Sequence, residues 1–313
     1  MKVLYTGSLG QLGYELQKVF NKKSIYSKGY DIQDWDISSY EISKKVLLQE
    51  KPDILINCAA YTAVDKAEED IELAYRINAE AVKALAELCQ EFRIYFIHIS
   101  TDFIFTRKTR EDVLPWTEKD FSETEGVYAL SKKQGEEKLF EVLKQTDRLS
   151  NIEDFTTALL IRTSWVYSSH GKNFPKTILR LAGEKESLGV IEEQIGRPTY
   201  AEDLAEFIAR YIDIKLKGSE KTFELLPGGI YHFSNSGVAS WYDFAYEVLE
   251  KYYERNSHAI KINLRPIKSS EYPTPALRPF FSVMDLSKAR TIWPNIPHWK
   301  EGVSRFLDEL SVL

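Results

Sequence analysis

Four short stretches of the chain are apolar at nearly every position: Val3 to Tyr5, Ile54 to Ile56, Phe96 to Ile99 with His98 inside it, and Ala158 to Ile161. A strand with one wet face alternates polar and apolar residues, whereas a strand covered on both faces loses the alternation, so these four read as buried strands of a parallel sheet. Between them the period changes. Asn78, Val82, Leu85, Cys89 and Phe92 fall three or four positions apart and predict a helix. Strand and helix in turn predict an α/β fold with a doubly wound parallel sheet.

After about residue 165 the rhythm loosens into loops rich in Gly and Pro, at Gly196-Arg197-Pro198, Pro227-Gly228-Gly229 and Pro273 to Pro279. Ser240 is placed to cap a helix whose Phe244, Val248, Leu249 and Tyr252 share a face, and a last helix carries Val303, Phe306, Leu307 and Leu310. The expected organisation is a cofactor domain over residues 1–165 and a smaller C-terminal α/β substrate lobe over 166–313, some of whose segments return to the first domain. The polar run Lys144 to Asp154 reads as an exposed loop.

At 313 residues the chain can bury a full core. Its net charge of -6, from 41 Lys+Arg against 47 Asp+Glu, argues against nucleic acid, which demands a concentrated basic face. No apolar run is long enough for a bilayer and no signal core precedes the first strand, so the expected location is the cytoplasm, with no membrane partner. Cys58 and Cys89 do not have the spacing of a metal clip or redox pair, and the five histidines show neither an i, i+4 pair nor HExxH, so no metal ligands are assigned.

Gly7-Ser8-Leu9-Gly10-Gln11-Leu12-Gly13 follows the first strand and opens a helix, the setting in which a glycine turn lets backbone approach a pyrophosphate whose charge sits on the helix N-terminus. It makes the sheet Rossmann-type and assigns Gly7, Gly10, Gln11, Leu12 and Gly13 to a dinucleotide. The second strand, read as Ile25 to Lys28, ends in a hydroxyl and a cation where an acid gripping a ribose is expected. Lys28 can contact a 2′-phosphate, which favours NADPH while leaving NADH open, or it is a surface lysine without a role. Ala59 and Ala60, at the end of the next strand, should pass beside the adenosine and its ribose.

Tyr128 and Lys132 stand four apart, so on a helix phenol and ammonium share a face, and a nearby cation is expected to lower the phenol's pKa towards working pH. Tyr14/Lys18, Tyr40/Lys44 and Tyr211/Lys215 have the same spacing. Context selects Tyr128, which alone follows a buried strand ending in Ser100-Thr101-Asp102, polar groups able to reach a substrate oxygen at the carboxyl edge of the sheet. Trp165, just past the end of another strand, is an aromatic placed for a sugar or for the core.

The glycine turn, Asn57 to Glu68 (NCAAYTAVDKAE), Ser100-Thr101-Asp102, Tyr128/Lys132, Arg162 to Tyr167 (RTSWVY), Gly171 to Phe174 (GKNF), Gln194 to Thr199 (QIGRPT) and Glu271 to Pro275 (EYPTP) together resemble the dTDP-4-dehydrorhamnose reductase family of extended short-chain dehydrogenases/reductases. The resemblance runs almost the whole length. It implies NAD(P)H-dependent reduction of the C4 ketone of a dTDP-sugar, with Tyr128 as general acid, Lys132 holding the nicotinamide ribose and Thr101 bonding the substrate oxygen. Asp102, Trp165, Asn173 and Tyr272 are then substrate residues, Asp36 and Ile37 the adenine pair, and Tyr61, Thr62 and Ile99 further cofactor contacts. It also implies that the chain can form a homodimer, and some relatives bind Mg2+ at the dimer contact.

Two departures touch the loops beside the substrate: Phe103 stands where relatives often have Tyr, and the segment between Phe105 and Pro115 holds Arg, Lys and Glu in place of a glycine turn. Two other functions are weighed. Dehydratases of this fold resemble one another in an Asp-Glu pair after the Thr, and here Asp102 is followed by Phe103. A regulatory subunit, such as the family-like subunit of methionine adenosyltransferase, would need no intact acid and cation, and this chain has Thr101, Tyr128 and Lys132.

Overall fold

The computed structural model describes residues 1–105, 114–120, 124–147, 157–217 and 228–310. Within them, β1 (Val3–Thr6), β2 (Ser27–Tyr30), β3 (Ile54–Asn57), β4 (Tyr95–Thr101), β5 (Ala158–Thr163) and β6 (Gly229–His232) form a parallel sheet in the spatial order β2-β1-β3-β4-β5-β6. The chain steps outward from β1 to β2, then returns to β3 on the other side of β1. That reversal opens a crevice beyond the carboxyl ends of β1 and β3.

Both faces of the sheet are covered, which is why the strands are apolar throughout. Val3, Tyr5, Ile54, Ile56, Leu159 and Ile161 point to one face, under helices α1 (Gln11–Lys22) and α6 (Ala201–Lys217). Leu4, Leu55, Phe96 and Leu160, one position out of phase, point to the other, under α2 (Tyr40–Glu50), α3 (Ala81–Phe92) and α4 (Val127–Asp147). Side chains that fill both faces of a pleat with period two leave no position for a polar residue to reach water. The smaller lobe packs α5 (Phe174–Glu184), α7 (Trp241–Arg255) and α8 (Trp299–Leu310) around Tyr167, Phe244 and Phe306. Ser240 and Asp243 cap α7 reciprocally, as Ser240's place in the sequence predicts. The sixth strand and α6 come from the second half of the chain and complete the first lobe, so the chain crosses between lobes more than once.

Three elements differ from the sequence reading. The second strand is Ser27–Tyr30, two residues later than Ile25 to Lys28, because Val3 pairs with Ser27. Its Ser-Lys-Gly-Tyr sequence carries no apolar signature: it is an edge strand, and Gly29 is required because a Cβ there would lie 2.6 Å from the Tyr5 ring. The helix that holds Val82 and Leu85 begins at Ala81, after a wider π turn over Arg76–Glu80 that contains Asn78. Lys144 to Asp147 continue α4 as helix, and 148–156 lie outside the described residues, as does 106–113, which contains the Arg/Lys/Glu departure.

A buried ion pair fastens α4 to the sheet. Arg162 on β5 donates to Glu136 on α4 at 2.7 Å, with only 4% and 3% of the two side chains exposed. The Ser100 hydroxyl donates to the same carboxylate at 2.5 Å, and Arg162 also reaches Nε2 of His232 on β6 at 3.3 Å. Burial and the guanidinium hold the His232 pKa well below its usual value, so the imidazole is neutral, its Nδ1 donating to the Trp116 carbonyl. Removing one partner of such a pair strands a charge in the core. Arg162→Met is expected to lower the unfolding free energy by about 3–5 kcal/mol in urea titrations, and Glu136→Gln added to it to recover at least part of the loss. A single variant as stable as the parent would show that the pair does not bind helix to sheet.

Candidate active site

The crevice encloses about 790 Å³, within the size range of small-molecule sites. Its floor is the turn after β1. Gly7 has φ +65°, and a Cβ on Gly13 would lie 2.2 Å from the Gly7 carbonyl oxygen, so neither glycine admits a side chain. The N-terminus of α1 has no capping side chain and no acid in its first turn, which leaves its N–H groups for an anion. Gly7, Gly10, Gln11, Leu12 and Gly13 all line the crevice. A backbone cradle that any Cβ would fill, closed by a helix N-terminus, fits the pyrophosphate of a dinucleotide.

Beside it stands an acid that the sequence reading missed. Asp31 follows β2 directly, lines the crevice, and accepts from the Leu9 N–H at 2.8 Å. Because β2 runs two residues further than expected, an acid does follow the strand on the crevice wall, and its signal was the acid next to Tyr30. Lys28 is corrected accordingly: it bonds Glu50 at 2.7 Å, lies over the Tyr30 ring, and is not on the crevice wall. Asp36, Ile37, Ala59, Ala60, Thr62 and Ile99 do line it. Tyr61 does not, because its hydroxyl donates to Asp70 and its N–H to Asn78.

At the far end, Tyr128 and Lys132 face the crevice from the first turns of α4. The start of that helix is set by Glu68, whose carboxylate accepts the Val127 N–H at 2.8 Å. Gly135 lets the helix touch the π turn, since a Cβ there would meet the Asn78 carbonyl oxygen at 2.0 Å, and Asn78 also donates to Ser131 at 3.0 Å. Glu68 and Gly135 thus position the pair, although neither carries chemistry that a sequence motif announces. Lys132, 2% exposed, donates to the Ile99 carbonyl at 2.8 Å.

The protonation states differ from the expectation. Burial pushes the Tyr128 phenol up to about 12, against the hydrogen bond with Thr101, and Lys132 does not pull it down. Burial also lowers the Lys132 ammonium to about 8, with Glu136 opposing that shift. The phenol is therefore protonated at neutral pH. Thr101 lies beside Tyr128, its hydroxyl accepting the Phe103 N–H at 3.2 Å, and Phe103 meets the Tyr128 ring edge-on at 5.2 Å. Asp102 is buried, its pKa pushed up to about 7 by burial against hydrogen bonds from Ser282 and Thr101. Cys58 lines the crevice, but burial pushes its thiol up, which removes it as a nucleophile.

Trp165 lines the crevice, half-buried. Asn173 and Tyr272 do not line it. Asn173 caps α5 by accepting the Lys176 N–H, while its amide donates to Gln11 at 2.9 Å and to the Ser168 carbonyl; Tyr272 is 61% exposed. Asn173 thereby staples the second lobe to the glycine turn, and its neighbour Lys172, unassigned from sequence, lines the crevice instead. The other three Tyr/Lys pairs lie elsewhere: Tyr14 stacks on His170, Lys44 lies over the exposed Tyr40 ring, and Tyr211 bonds Tyr95 in the core. Among the described residues no group of three or more His, Cys, Asp or Glu is arranged for a metal, and no helix is long and apolar enough to cross a membrane.

Comparison with known proteins matches residues 1–312 to the family model described as the RmlD substrate binding domain. The dTDP-4-dehydrorhamnose reductase of Escherichia coli K12 is 36% identical over 317 aligned positions, covering 99% of this chain and 98% of that protein. Among solved structures, a dTDP-4-dehydrorhamnose reductase of Clostridium acetobutylicum superposes with a TM-score of 0.84 at 32% identity, covering 99% of this chain and all of that one. The Bacillus anthracis reductase, solved in complex with NADP, gives 0.82 at 33% identity, covering 98% and 99%.

A carboxylate accepts a ribose hydroxyl and repels a phosphate in the same place. Asp31→Asn keeps an acceptor for the Leu9 N–H and removes the charge. The ratio of NADPH to NADH affinity, measured by fluorescence titration, should rise by about tenfold, the equivalent of about 1.4 kcal/mol. An unchanged ratio would show that Asp31 does not read the ribose.

Proposed function

The chain belongs to the RmlD substrate binding domain family, and on that footing we propose that it reduces the C4 ketone of dTDP-4-dehydro-L-rhamnose to dTDP-L-rhamnose, with NADPH or NADH as reductant. This is the last step of dTDP-rhamnose synthesis. The observation that carries the reading is a single crevice walled at one end by a side-chain-free glycine turn and at the other by a protonated phenol beside an ammonium. Two free cysteines and the demand for a reduced nicotinamide pool support a cytoplasmic place. The same reading carries the homodimer, which sedimentation of the purified chain tests.

In this mechanism the glycine turn and the N-terminus of α1 hold the pyrophosphate, Asp31 the adenosine ribose, and Asp36 and Ile37 the adenine. When bound, the reduced nicotinamide supplies the hydride for the ketone carbon. Thr101 holds the ketone oxygen at the Tyr128 hydroxyl, and as charge builds on that oxygen the phenol gives up its proton to it. An alkoxide is a stronger base than a phenolate, so a phenol near 12 is acid enough for the transfer. Lys132, one turn along, holds the nicotinamide ribose, and water returns the proton to the phenolate left behind. Asp102 and Trp165 orient the sugar. A dehydratase has less support, because Phe103, where the second carboxylate would be, packs on Tyr128.

Stoichiometric loss of NADPH with a 4-keto sugar nucleotide is the expected result for the purified protein, and turnover without net cofactor change would overturn the reading. Tyr128→Phe should keep NADPH affinity while losing on the order of 10²–10⁴ in kcat. A variant with full turnover would remove Tyr128 from the acid's role. The kcat/KM for NADPH reports ionisations of the protein before it binds cofactor. It should fall as pH rises through about 8, where Lys132 loses its proton. That alkaline limb should be absent from Lys132→Met.

A further inference from the structure

One wall of the crevice depends on a backbone conformation that its residue disfavours. Trp165, between β5 and the two-residue strand Val166–Tyr167, has φ +47°. A bulky residue is an outlier in this left-handed region and stays there only where its surroundings over-determine it. Here three contacts do so. Its carbonyl accepts the Thr199 N–H at 3.2 Å. Gly196 packs so tightly on the indole that a Cβ would lie 2.7 Å from Cε2. The third contact is the Trp241 indole, stacked on that of Trp165 with ring centroids 3.6 Å apart and planes 9° from parallel.

Trp241 is itself rigidly presented. It is the first residue of α7, directly after the Ser240 cap, and Phe174 backs its ring at 4.7 Å. Trp165 lines the crevice and Trp241 does not. We infer that Trp241 is a positioning residue for the sugar nucleotide: through the stack it holds Trp165 in its left-handed turn, so that the indole meets the ligand as a fixed wall. The stack joins the turn after β5 to a helix of the smaller lobe, so a shift between the lobes must disturb it. The ligand's identity rests on the reductase reading; the stacked pair does not.

Far-ultraviolet circular dichroism, NADPH and dTDP-glucose titrations and steady-state kinetics on the full chain test this. Coupled indoles should give an exciton couplet that Trp241→Phe and Trp165→Phe both abolish. Trp241→Ala should raise the KM for the keto sugar nucleotide and the Kd for dTDP-glucose about tenfold, the upper range for one aromatic pair. Its kcat should stay within about threefold and its NADPH affinity should be unchanged; Trp241→Phe, which still offers a ring, should recover most of the loss. If the wild type reduces no keto sugar nucleotide but Trp241→Ala still weakens dTDP-glucose, the reductase reading fails and this inference stands. Sugar-nucleotide affinity unchanged in Trp241→Ala, or lost in equal measure with NADPH affinity, would overturn it.

Discussion

The seating of α4 on the sheet is the constraint from which the site follows. Tyr128 and Lys132 are useful only if their helix crosses the carboxyl ends of the strands at the right depth, and three contacts with no chemical role fix that depth. Gly135 brings the helix backbone against the Asn78 carbonyl, the Glu136–Arg162 pair ties it to β5, and Glu68 caps its first turn. A buried ion pair gives little net stability once desolvation is counted, yet mispairing it is costly, so it selects one placement of helix over sheet. Ser100 joins that network at the end of β4, one residue before Thr101.

The same burial sets the chemistry. In an exposed helix, an ammonium four residues away would draw a phenol's pKa down, but here desolvation is the larger effect on both groups and moves them in opposite directions. The result suits reduction better than a lowered phenol would. A donor that has lost its proton cannot quench an alkoxide, whereas one near 12 arrives loaded at any physiological pH. Lys132, held at the Ile99 carbonyl and opposed in its shift by Glu136, becomes the group whose ionisation falls close to working pH.

Much of this was legible in the order of residues. The apolar strands, the glycine turn and the choice of Tyr128 among four identical spacings all rest on burial and on position relative to strand ends, which periodicity reports. Asp31 was missed because β2 is a polar edge strand held by backbone pairing, so its end leaves no hydrophobic trace. Asn173 and Tyr272 belong to segments that resemble the reductase family, but a motif does not say which way a side chain turns. Asn173 faces Gln11 and its own helix, and Tyr272 faces solvent. The positioning roles of Glu68, which ends a segment that resembles the family, and of Gly135 were hidden for a related reason: their partners lie 59 and 57 positions away, and no local pattern encodes such a contact.

The crevice walls come from two lobes, and the contacts between them are not equivalent. At the cofactor end Asn173 reaches Gln11, and the His170 ring meets the Leu9 carbonyl, so the second lobe is anchored where the dinucleotide's position must not vary. Outside the crevice lining, Asp65 of the loop after β3 takes a two-pronged bond from Arg278, at 2.8 and 2.7 Å. That pair is partly exposed, so solvent weakens it. The strained turn of Trp165 is rigid in a different way, because glycine and indole leave it no alternative. The contacts between the lobes are thus unequal in strength, and the buried ones lie beside the crevice, where the alignment of phenol and nicotinamide on which hydride transfer depends has to be kept.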